Sequence, residues 1–348
     1  MIWNIFASKG KPRLGIDIGT SATKIVEVNW QGEKAVLNNY GILPFAQEEI
    51  SLRSSSFKLM DKQLAGTIRE VIGASRMQAK DAYMAIPAFS TFSTIIELPR
   101  IPQNELNNAV LYEVRKFIPL PLAEVKLDWI VLDFLSKEHT VKVLTIAVPN
   151  DIIDMYYRIA KLSGLNLQNI EIETFSAARA LEKKKDTPFV ILDIGTRNTN
   201  ITIVEKGIAS IHHNVDLSGR ALSRVLVRGL GIDMARAEEL KIEKGLEGDP
   251  QIADLLANIL NAIFLEVQRL VQSYVQQGGS KPAFLMLCGG SAHTKGLAGY
   301  AERILNIKTF VSNPFEGVAY PPALKETLEE LGPSFSVALG LALRKNNL

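Results

Sequence analysis

The sequence has almost no cysteine and no long hydrophobic run. Cys288 is the only cysteine among 348 residues, so no intrachain disulfide is possible, which fits a protein of the reducing cytosol. No apolar run reaches the ~20 residues of a membrane-spanning helix. The longest apolar stretch, 252–272, carries Asp254, Glu266 and Arg269 on a helical period. This spacing predicts an amphipathic helix with one buried face.

A strong charge imbalance is also missing. The formal net charge is +2, which gives no general attraction to nucleic acid or to acidic substrates. The four histidines and the single cysteine form no cluster with zinc spacing, and no serine stands in a Gly-x-Ser-x-Gly frame. At the N-terminus, Trp3 and Phe6 precede the basic residues, the reverse of a secretory signal. We therefore expect a loose tail there, or a staple that packs onto the first domain. We also expect a cytoplasmic protein.

One short sequence, Asp-Ile-Gly-Thr, occurs twice. It lies within LGIDIGTSATKIVEV and within FVILDIGTRNTNITIVEKG, each time between two apolar runs. Asp17 and Asp193 are 176 positions apart (193 − 17), about half of the chain. A length of 348 residues corresponds to about two domains. The spacing predicts two halves with the same strand–turn–strand unit, and the alternative is two unrelated hairpins.

Predicted strands and helices alternate through both halves, which indicates an α/β protein. In the first half, we predict strands within 14–44 and at 81–87 and a helix at 61–75. An insert-like unit follows, with a helix opened by Asn104, and then a helix capped by Asn150 and ended by Gly164. In the second half, we predict a helical block at 219–277, a buried strand at 283–290 and a closing helix at 334–345.

The first Asp-Ile-Gly-Thr turn contains the residue types of an anion site. Asp17 ends an apolar strand, and a buried carboxylate needs a cation nearby. Gly19 leaves the backbone N–H groups accessible, Thr20 and Ser21 add hydroxyl donors, and Lys24 can contact a phosphate as a point charge. Because a phosphate beside a carboxylate is repelled, a hard cation such as Mg²⁺ should bridge them and keep several waters.

The second turn repeats this arrangement with Asp193, Gly195, Thr196 and Thr199. Two such turns facing each other would hold the phosphates of a nucleotide from both sides. One Mg²⁺ would then lie between two aspartates, bound through water. The repeat therefore predicts a nucleotide site between two halves of the chain.

Two further segments complete the predicted site. In FLMLCGGSAHTKGL, an apolar strand leads directly into Gly289, Gly290 and Ser291 and then into a predicted helix, whose N-terminus favours negative charge. In ARAEELK, Glu238 and Lys241 are three positions apart and share one helix face. Glu238 can accept hydrogen bonds from ribose hydroxyls while Lys241 lies along the base. By itself, such a pair is more typical of a surface ion pair.

These four elements in this order resemble the actin-like ATPase superfamily. Within it, GIDIGTSATKIVEV, YEVRKFIPLPLAEVKLDW and VALGLALR resemble the PilM family of type IV pilus assembly proteins, which is related to the cell-division protein FtsA. The resemblance spans about 14–345. It implies an actin-like (ribonuclease H-like) two-lobed α/β fold with an FtsA-type small subdomain inserted in the first lobe.

The resemblance also implies a division of the chain into five segments. They are the first-lobe core at 1–89, the inserted small subdomain at 90–143, the continued first-lobe core with a connecting segment at 144–185, the second lobe at 186–332, and a closing helix at 333–348 that returns to the first lobe.

For the site, the resemblance implies ATP and Mg²⁺ as ligands. It places Asp17 and Asp193 near the metal, Lys24 at the phosphates, and Glu238 and Lys241 at the nucleoside. The chain departs from its relatives at two positions: Gly219 stands in LSGR, where relatives often have a Gly-Gly pair, and Arg197 lies beside the second phosphate loop. Glu173 is the candidate catalytic residue, since relatives carry a polar residue there that can position an attacking water.

The function implied is that of a cytoplasmic scaffold, peripheral to the inner membrane, that changes lobe closure with ATP and has slow ATPase activity at most. Its partner would be the cytoplasmic N-terminal peptide of a PilN-like membrane protein, with pilus motor ATPases as further candidates and no nucleic acid. The residues that would line the peptide groove are Phe117, Ile118, Leu120 and Leu122. These four residues are equally typical of subdomain core.

Two other functions stay open. A steady ATPase or small-molecule kinase of the same superfamily would need a competent Glu173, and the chain shows no recognisable acceptor site for a kinase. A filament-forming, FtsA-like protein is the second alternative. FtsA-like proteins usually end in a membrane-seeking amphipathic helix, whereas this sequence ends in ALRKNNL.

Overall fold

The computed structural model describes residues 11–45, 57–137, 139–183 and 187–345. The N-terminal tail or staple predicted around Trp3 and Phe6 lies outside these residues. The described residues form thirteen strands: β1 (Arg13–Ile18), β2 (Ala22–Gln31), β3 (Lys34–Pro44), β4 (Asp81–Ile86), β5 (Phe92–Pro99), β6 (Val125–Val131), β7 (Thr140–Pro149), β8 (Asn166–Ile172), β9 (Phe189–Ile194), β10 (Thr199–Glu205), β11 (Ile208–Val215), β12 (Phe284–Cys288) and β13 (Lys308–Val311).

The same residues form ten α-helices: α1 (Phe57–Ala74), α2 (Gln103–Val114), α3 (Asn150–Ser163), α4 (Glu173–Leu181), α5 (Gly219–Leu230), α6 (Met234–Glu243), α7 (Pro250–Gln276), α8 (Leu297–Leu305), α9 (Lys325–Leu331) and α10 (Ser336–Ala342). Short 3₁₀ turns lie between several of these elements. The mixed α/β class predicted from the sequence is confirmed.

The first lobe is built on a five-stranded sheet with the order β3-β2-β1-β4-β8. Strands β1 and β2 are antiparallel, and their register places Asp17 opposite Lys24 and Ile18 opposite Thr23. Strand β4 runs parallel to β1 and to β8. Helices α1 and α3 cover one face, because their apolar side chains pack with those of β1 and β4 in one buried cluster.

The second lobe repeats this topology in a five-stranded sheet with the order β11-β10-β9-β12-β13. Strands β9 and β10 are antiparallel, with Asp193 opposite Asn200 and Ile194 opposite Thr199. Strand β12 runs parallel to β9 and to β13. Both Asp-Ile-Gly-Thr sequences therefore end the first strand of an equivalent hairpin at the centre of its sheet, which explains why the sequence is repeated.

The long helix α7 packs on the second sheet. It is the one described helix that is long and apolar enough to cross a membrane. Its buried residues recur at helical spacing and belong to the second-lobe core: Ile252, Leu256, Leu260, Ile263, Phe264, Val267 and Tyr274. The amphipathic helix predicted from the charge pattern is therefore present.

Helices α4 and α10 lie between the two sheets. The buried cluster around them contains side chains of β4 from the first lobe and of β9 and β12 from the second. Helix α10 packs so closely that a Cβ at its Gly340 would lie 1.8 Å from the Ser176 carbonyl oxygen of α4, and a Cβ at Gly15 of β1 would lie 1.9 Å from the Ala338 carbonyl oxygen of α10. Only glycine fits at these two positions, because real Cβ contacts are never so short.

A third sheet, with the order β5-β7-β6, forms a small subdomain together with α2. Its chain enters after β4 and leaves into α3, so it is an insertion in the first lobe. Its core is small, built on Ile96, Leu106, Val110 and Val143. Three other apolar side chains of this unit, Leu132, Leu135 and Leu144, instead join the buried core of the second lobe.

Three local predictions need correction. Helices α2 and α3 are preceded by Pro102 and Pro149 at the N-cap, with no side-chain cap, so neither Asn104 nor Asn150 has the predicted role. The extended backbone that proline imposes sets both helix starts. The helix expected directly after Ser291 begins only at Leu297, behind a series of turns. Gly164 does end α3 in the left-handed conformation, as predicted.

Candidate functional site

A cavity of about 300 Å³ opens between the lobes where the two hairpin turns meet, which is at the lower end of the size of small-molecule pockets. The first lobe contributes Thr20, Ser21 and Phe45 to its wall. The second lobe contributes Thr196, Arg197, Gly219, Arg220, Met234, Glu238, Lys241, Gly290 and Ser291. The wall combines hydroxyl groups, backbone of glycine, two arginines and a few apolar side chains.

The two hairpin turns have the same backbone geometry. The Gly19 N–H donates to the Ala22 oxygen at 3.0 Å, and the Gly195 N–H donates to the Asn198 oxygen at 3.0 Å. Across the lobes, the Thr196 hydroxyl donates to the Ser21 hydroxyl at 2.8 Å. The two turns therefore face each other and touch at the floor of the cavity.

Beneath the turns lie the two aspartates. The Lys24 Nζ is 3.6 Å from the Asp17 Oδ2, and both groups are largely buried. Burial raises the pKa of Asp17, although the Lys24 charge opposes this shift. Burial also raises the pKa of Asp193 to about 6, with Lys24 again opposing and Asp17 adding to the shift. In the second hairpin the position of Lys24 is occupied by Asn200, so one lysine serves both carboxylates.

Glu173, the first residue of α4, faces the same region. Its Oε1 accepts hydrogen bonds from the Ala88 N–H and from the Asn200 Nδ2, both at 2.8 Å. Burial, together with the charges of Asp17 and Asp193, raises the pKa of Glu173 to about 8, although the two hydrogen bonds oppose the shift. Glu173 therefore holds a proton at neutral pH.

The residues present fit a phosphate-bound Mg²⁺. Burial raises the pKa of three carboxyl groups in this region, those of Asp17, Asp193 and Glu173, and a divalent cation nearby would favour their charged forms. Two hydroxyls at equivalent hairpin positions, Thr23 Oγ1 and Thr199 Oγ1, are buried without a hydrogen-bond partner. Within the described ranges, no three Asp, Glu, His or Cys side chains are close enough to hold a metal. A Mg²⁺ here would keep most of its water ligands.

Two glycines allow the segments to meet at the cavity. A Cβ at Gly289, whose φ is +81°, would lie 2.4 Å from the Asp193 Oδ1. A Cβ at Gly219 would lie 2.4 Å from the Ser291 hydroxyl, whereas Gly290 faces open space. Gly289 and Gly219 therefore permit the turn after β12 and the start of α5 to approach the second hairpin closely.

The pair predicted on α6 is not a surface ion pair. Lys241 is buried, and its Nζ lies 2.5 Å from the Glu238 Oε2, while the Glu238 side chain is 42% exposed. Both residues line the cavity. The same hydrogen-bonded group contains Ser223 of α5, which sequence reasoning missed, although its helical spacing of four from Gly219 was a usable signal.

The four apolar residues predicted for a peptide groove lie apart from the cavity, in the small subdomain. Ile118 is buried with Val114 and Val125, so for this residue the core alternative holds. Leu120 and Leu122 pack partly against the same cluster. Phe117 is 51% exposed. Other cavity residues were not singled out as ligands from the sequence: Phe45, Arg197, Arg220 and Met234.

The chain is similar to one protein family and to several curated proteins. A family model described as "Type IV pilus assembly protein PilM" matches residues 15–346. The chain is 24% identical over 233 residues to the cell division protein FtsA of Rhizobium meliloti (strain 1021), covering 55% of this chain and 51% of that protein. It is 23% identical over 249 residues to FtsA of Neisseria meningitidis serogroup B, covering 64% and 56%. The chain spans about half the length of these curated relatives.

Solved structures that are similar over nearly the whole chain include two with the following values. One is a PilM-PilN type IV pilus biogenesis complex, with a TM-score of 0.80, 27% identity, and coverage of 95% of this chain and 98% of that one. The other is the ethanolamine utilization protein EutJ from Carboxydothermus hydrogenoformans, with a TM-score of 0.57, 18% identity, and coverage of 95% and 89%. The predicted actin-like two-lobed fold with an inserted small subdomain is confirmed.

Proposed function

Because the chain belongs to the PilM family of type IV pilus assembly proteins, we propose that it is an ATP-binding scaffold of the pilus machine. It would act in the cytoplasm, peripheral to the inner membrane. The observation that carries the nucleotide part is the cavity between two equivalent Asp-Ile-Gly-Thr turns, whose hydroxyls meet at 2.8 Å. Backbone N–H groups, hydroxyls and arginines around one space are the chemistry that phosphates require.

The residues divide into a phosphate end and a nucleoside end. Thr20, Ser21 and Thr196 would contact phosphate oxygens. Glu238 would accept hydrogen bonds from ribose hydroxyls, and Ser291 would lie beside the nucleoside. A bound Mg²⁺ would supply the positive charge that the triphosphate and the buried aspartates both need.

The proposed partner is the short cytoplasmic N-terminal peptide of a PilN-like membrane protein, since the similar structure is a PilM-PilN complex. Membrane association would then be indirect, with pilus motor ATPases as further partners. The small subdomain offers the surface for such a peptide. Tyr112 and Phe117, at the end of α2 and just after it, are 71% and 51% exposed. Exposed aromatic side chains of this kind anchor peptides in shallow grooves.

The small subdomain also connects the peptide to the nucleotide. Although it is inserted in the first lobe, Leu132, Leu135 and Leu144 pack in the core of the second lobe. The Lys142 Nζ donates to the Gln277 carbonyl oxygen at 2.5 Å, at the end of α7. A nucleotide that changes the angle between the lobes must therefore shift the subdomain against the first lobe, where the peptide would bind.

Such coupling is reciprocal. If ATP changes the affinity for the peptide by some factor, the peptide must change the affinity for ATP by the same factor. The test is calorimetry of each ligand with and without the other, using Mg²⁺–ATP and a synthetic N-terminal peptide of the membrane protein. Equal factors above about fivefold are expected, within the usual range of coupling energies. Unchanged affinities would leave a static adaptor, and no binding of ATP would refute the nucleotide part.

A steady ATPase is the second candidate, and Glu173 is the observation that bears on it. In the metal-free site the pKa of this carboxyl is raised to about 8, and its Oε1 already accepts two hydrogen bonds, so Glu173 is a poor general base in that state. Slow turnover at most is the expectation. Sustained phosphate release near ~1 s⁻¹ or faster would favour an enzyme instead.

A further inference from the structure

Ser223 connects the two residues proposed for the nucleoside. It lies on α5, one helical turn after Gly219, and is fully buried. Its Oγ accepts a hydrogen bond from the Lys241 Nζ at 3.2 Å. Its hydroxyl proton is shared between two acceptors, the Glu238 Oε1 and the Gly219 carbonyl oxygen, the latter at 3.1 Å. A single hydroxyl therefore contacts both members of the α6 pair.

The Lys241 ammonium has no donor left for a ligand. A lysine has three N–H groups. Three acceptors surround this one: Glu238 Oε2 at 2.5 Å, Ser223 Oγ at 3.2 Å and the Gly219 oxygen at 3.4 Å. Lys241 thus holds its neighbours in place, and only its aliphatic stem is available to the cavity.

The Glu238 carboxylate, in contrast, keeps free lone pairs. Each of its oxygens receives one hydrogen bond, from Ser223 and from Lys241, whereas a carboxylate has about four acceptor positions. Its side chain is 42% exposed and lines the cavity. With Lys241 as its only donor, this carboxylate could still turn about that one hydrogen bond and would lose more entropy on binding a ligand.

The same group is tied to the second hairpin turn. The Gly219 N–H donates to the Gly195 oxygen at 2.8 Å, and the Arg220 N–H donates to the Thr196 oxygen at 3.1 Å. The start of α5 therefore contacts the phosphate end of the cavity with its N–H groups. One turn later, Ser223 contacts the nucleoside end.

We propose that Ser223 is a positioning residue that orients Glu238 toward the ribose hydroxyls of a bound nucleoside triphosphate. The proposal rests on the proposed ATP site. Ser223 would act only through Glu238 and would not contact the phosphates. Loss of the hydroxyl should therefore weaken binding of the nucleoside and leave binding of the phosphate chain intact.

The experiment compares Mg²⁺–ATP with Mg²⁺–tripolyphosphate, which lacks the nucleoside, by calorimetry. Ser223→Ala should raise the Kd for ATP about tenfold, the usual effect of losing a hydrogen bond to a charged group. The Kd for tripolyphosphate should change less than about twofold, and retained binding of it shows that the variant is folded. Ser223→Thr, which keeps the hydroxyl, should restore ATP affinity.

The matched control is Ser163→Ala. Ser163 is also a buried helical serine whose hydroxyl donates to the carbonyl four residues earlier, at 2.8 Å, but it lies on α3, away from the cavity. This variant should bind both ligands normally. A double variant, Ser223→Ala with Glu238→Gln, should bind ATP no more weakly than Glu238→Gln alone, because both substitutions weaken the same contact, the one between the Glu238 carboxylate and the ribose hydroxyls.

The outcomes separate the inference from the proposed function. If the wild-type protein binds no ATP, the ATP site is refuted and the role of Ser223 falls with it. If the wild-type protein binds ATP and Ser223→Ala binds it equally well, only the inference is overturned. Equal losses for ATP and tripolyphosphate would also overturn it, since they would indicate a general disturbance of α5.

Discussion

Glu173 allows a direct test of the electrostatics of the site. We predict that Glu173→Gln stabilises the nucleotide-free protein at pH 8 and does so much less at pH 5. The amide is isosteric, and its oxygen can still accept the hydrogen bonds that Ala88 and Asn200 donate at 2.8 Å. The substitution therefore removes a charge that the folded state disfavours while keeping the contacts.

The sign and size follow from the pKa of the two states. Glu173 has an ordinary pKa of 4.5 when exposed, which burial raises to about 8 in the folded protein. Between these values the folded state keeps a proton that the unfolded state has released. The free energy of unfolding of the wild type must therefore fall as pH rises through this window. Integrating between pH 5 and pH 8 gives a loss of about 3.5 kcal/mol from this residue, which the glutamine variant does not suffer.

The assay is urea unfolding of both proteins at about pH 5 and about pH 8, without nucleotide or Mg²⁺. The advantage of the variant should grow by about 3.5 kcal/mol between the two conditions. A matched control is Glu27→Gln, a buried carboxylate that accepts the Gln78 and Ala79 N–H groups at 2.7 Å each. Because charge strengthens those bonds, this control should lose about 1–3 kcal/mol. Parallel pH curves for wild type and Glu173→Gln would refute the reasoning.

Three further predictions concern the close contacts. Gly289→Ala places a Cβ 2.4 Å from a carboxylate oxygen of the second hairpin, at a φ of +81°. Thermal unfolding should therefore show that the free energy of unfolding falls by about 3 kcal/mol. The control Gly290→Ala, which faces open space, should change stability by less than about 0.5 kcal/mol. Gly340→Ala should destabilise the protein by about 3 kcal/mol, because its Cβ meets a carbonyl oxygen of α4 at 1.8 Å. The control Gly299→Ala, on α8 with no neighbour within 4 Å, should instead stabilise it by about 0.5–1 kcal/mol. Equal effects of the two substitutions would contradict the packing of α10 on α4. Lys142→Met removes the hydrogen bond from the small subdomain to the end of α7. Calorimetry should then find a smaller effect of ATP on the affinity for the peptide, while the affinity for ATP itself is unchanged. If ATP changes peptide affinity as much as in the wild type, this contact takes no part in the coupling between the two ligands.

The sequence by itself was sufficient for the parts of the site that neighbouring residues build. Each hairpin consists of two apolar strands joined by a glycine-containing turn, and its register depends on residues a few positions apart. The pairing of Asp17 with Lys24 therefore follows from local spacing. The same holds for Glu238 and Lys241, which one helix places on one face. The α/β class follows from the alternation of the two periodicities along the chain.

Only the tertiary structure decided which distant segments meet. The packing of Leu132 and Leu144 into the second lobe, the raised pKa of Glu173 and the junction at Ser223 all depend on contacts between elements far apart in the chain. The burial of Ile118 is of the same kind, because the apolar pattern is equal for core and groove. The sequence period shows which face of a helix or strand an apolar or charged side chain occupies. It does not show what packs against that face. The desolvation of the side chain and the charges around it are set only when the lobes pack together.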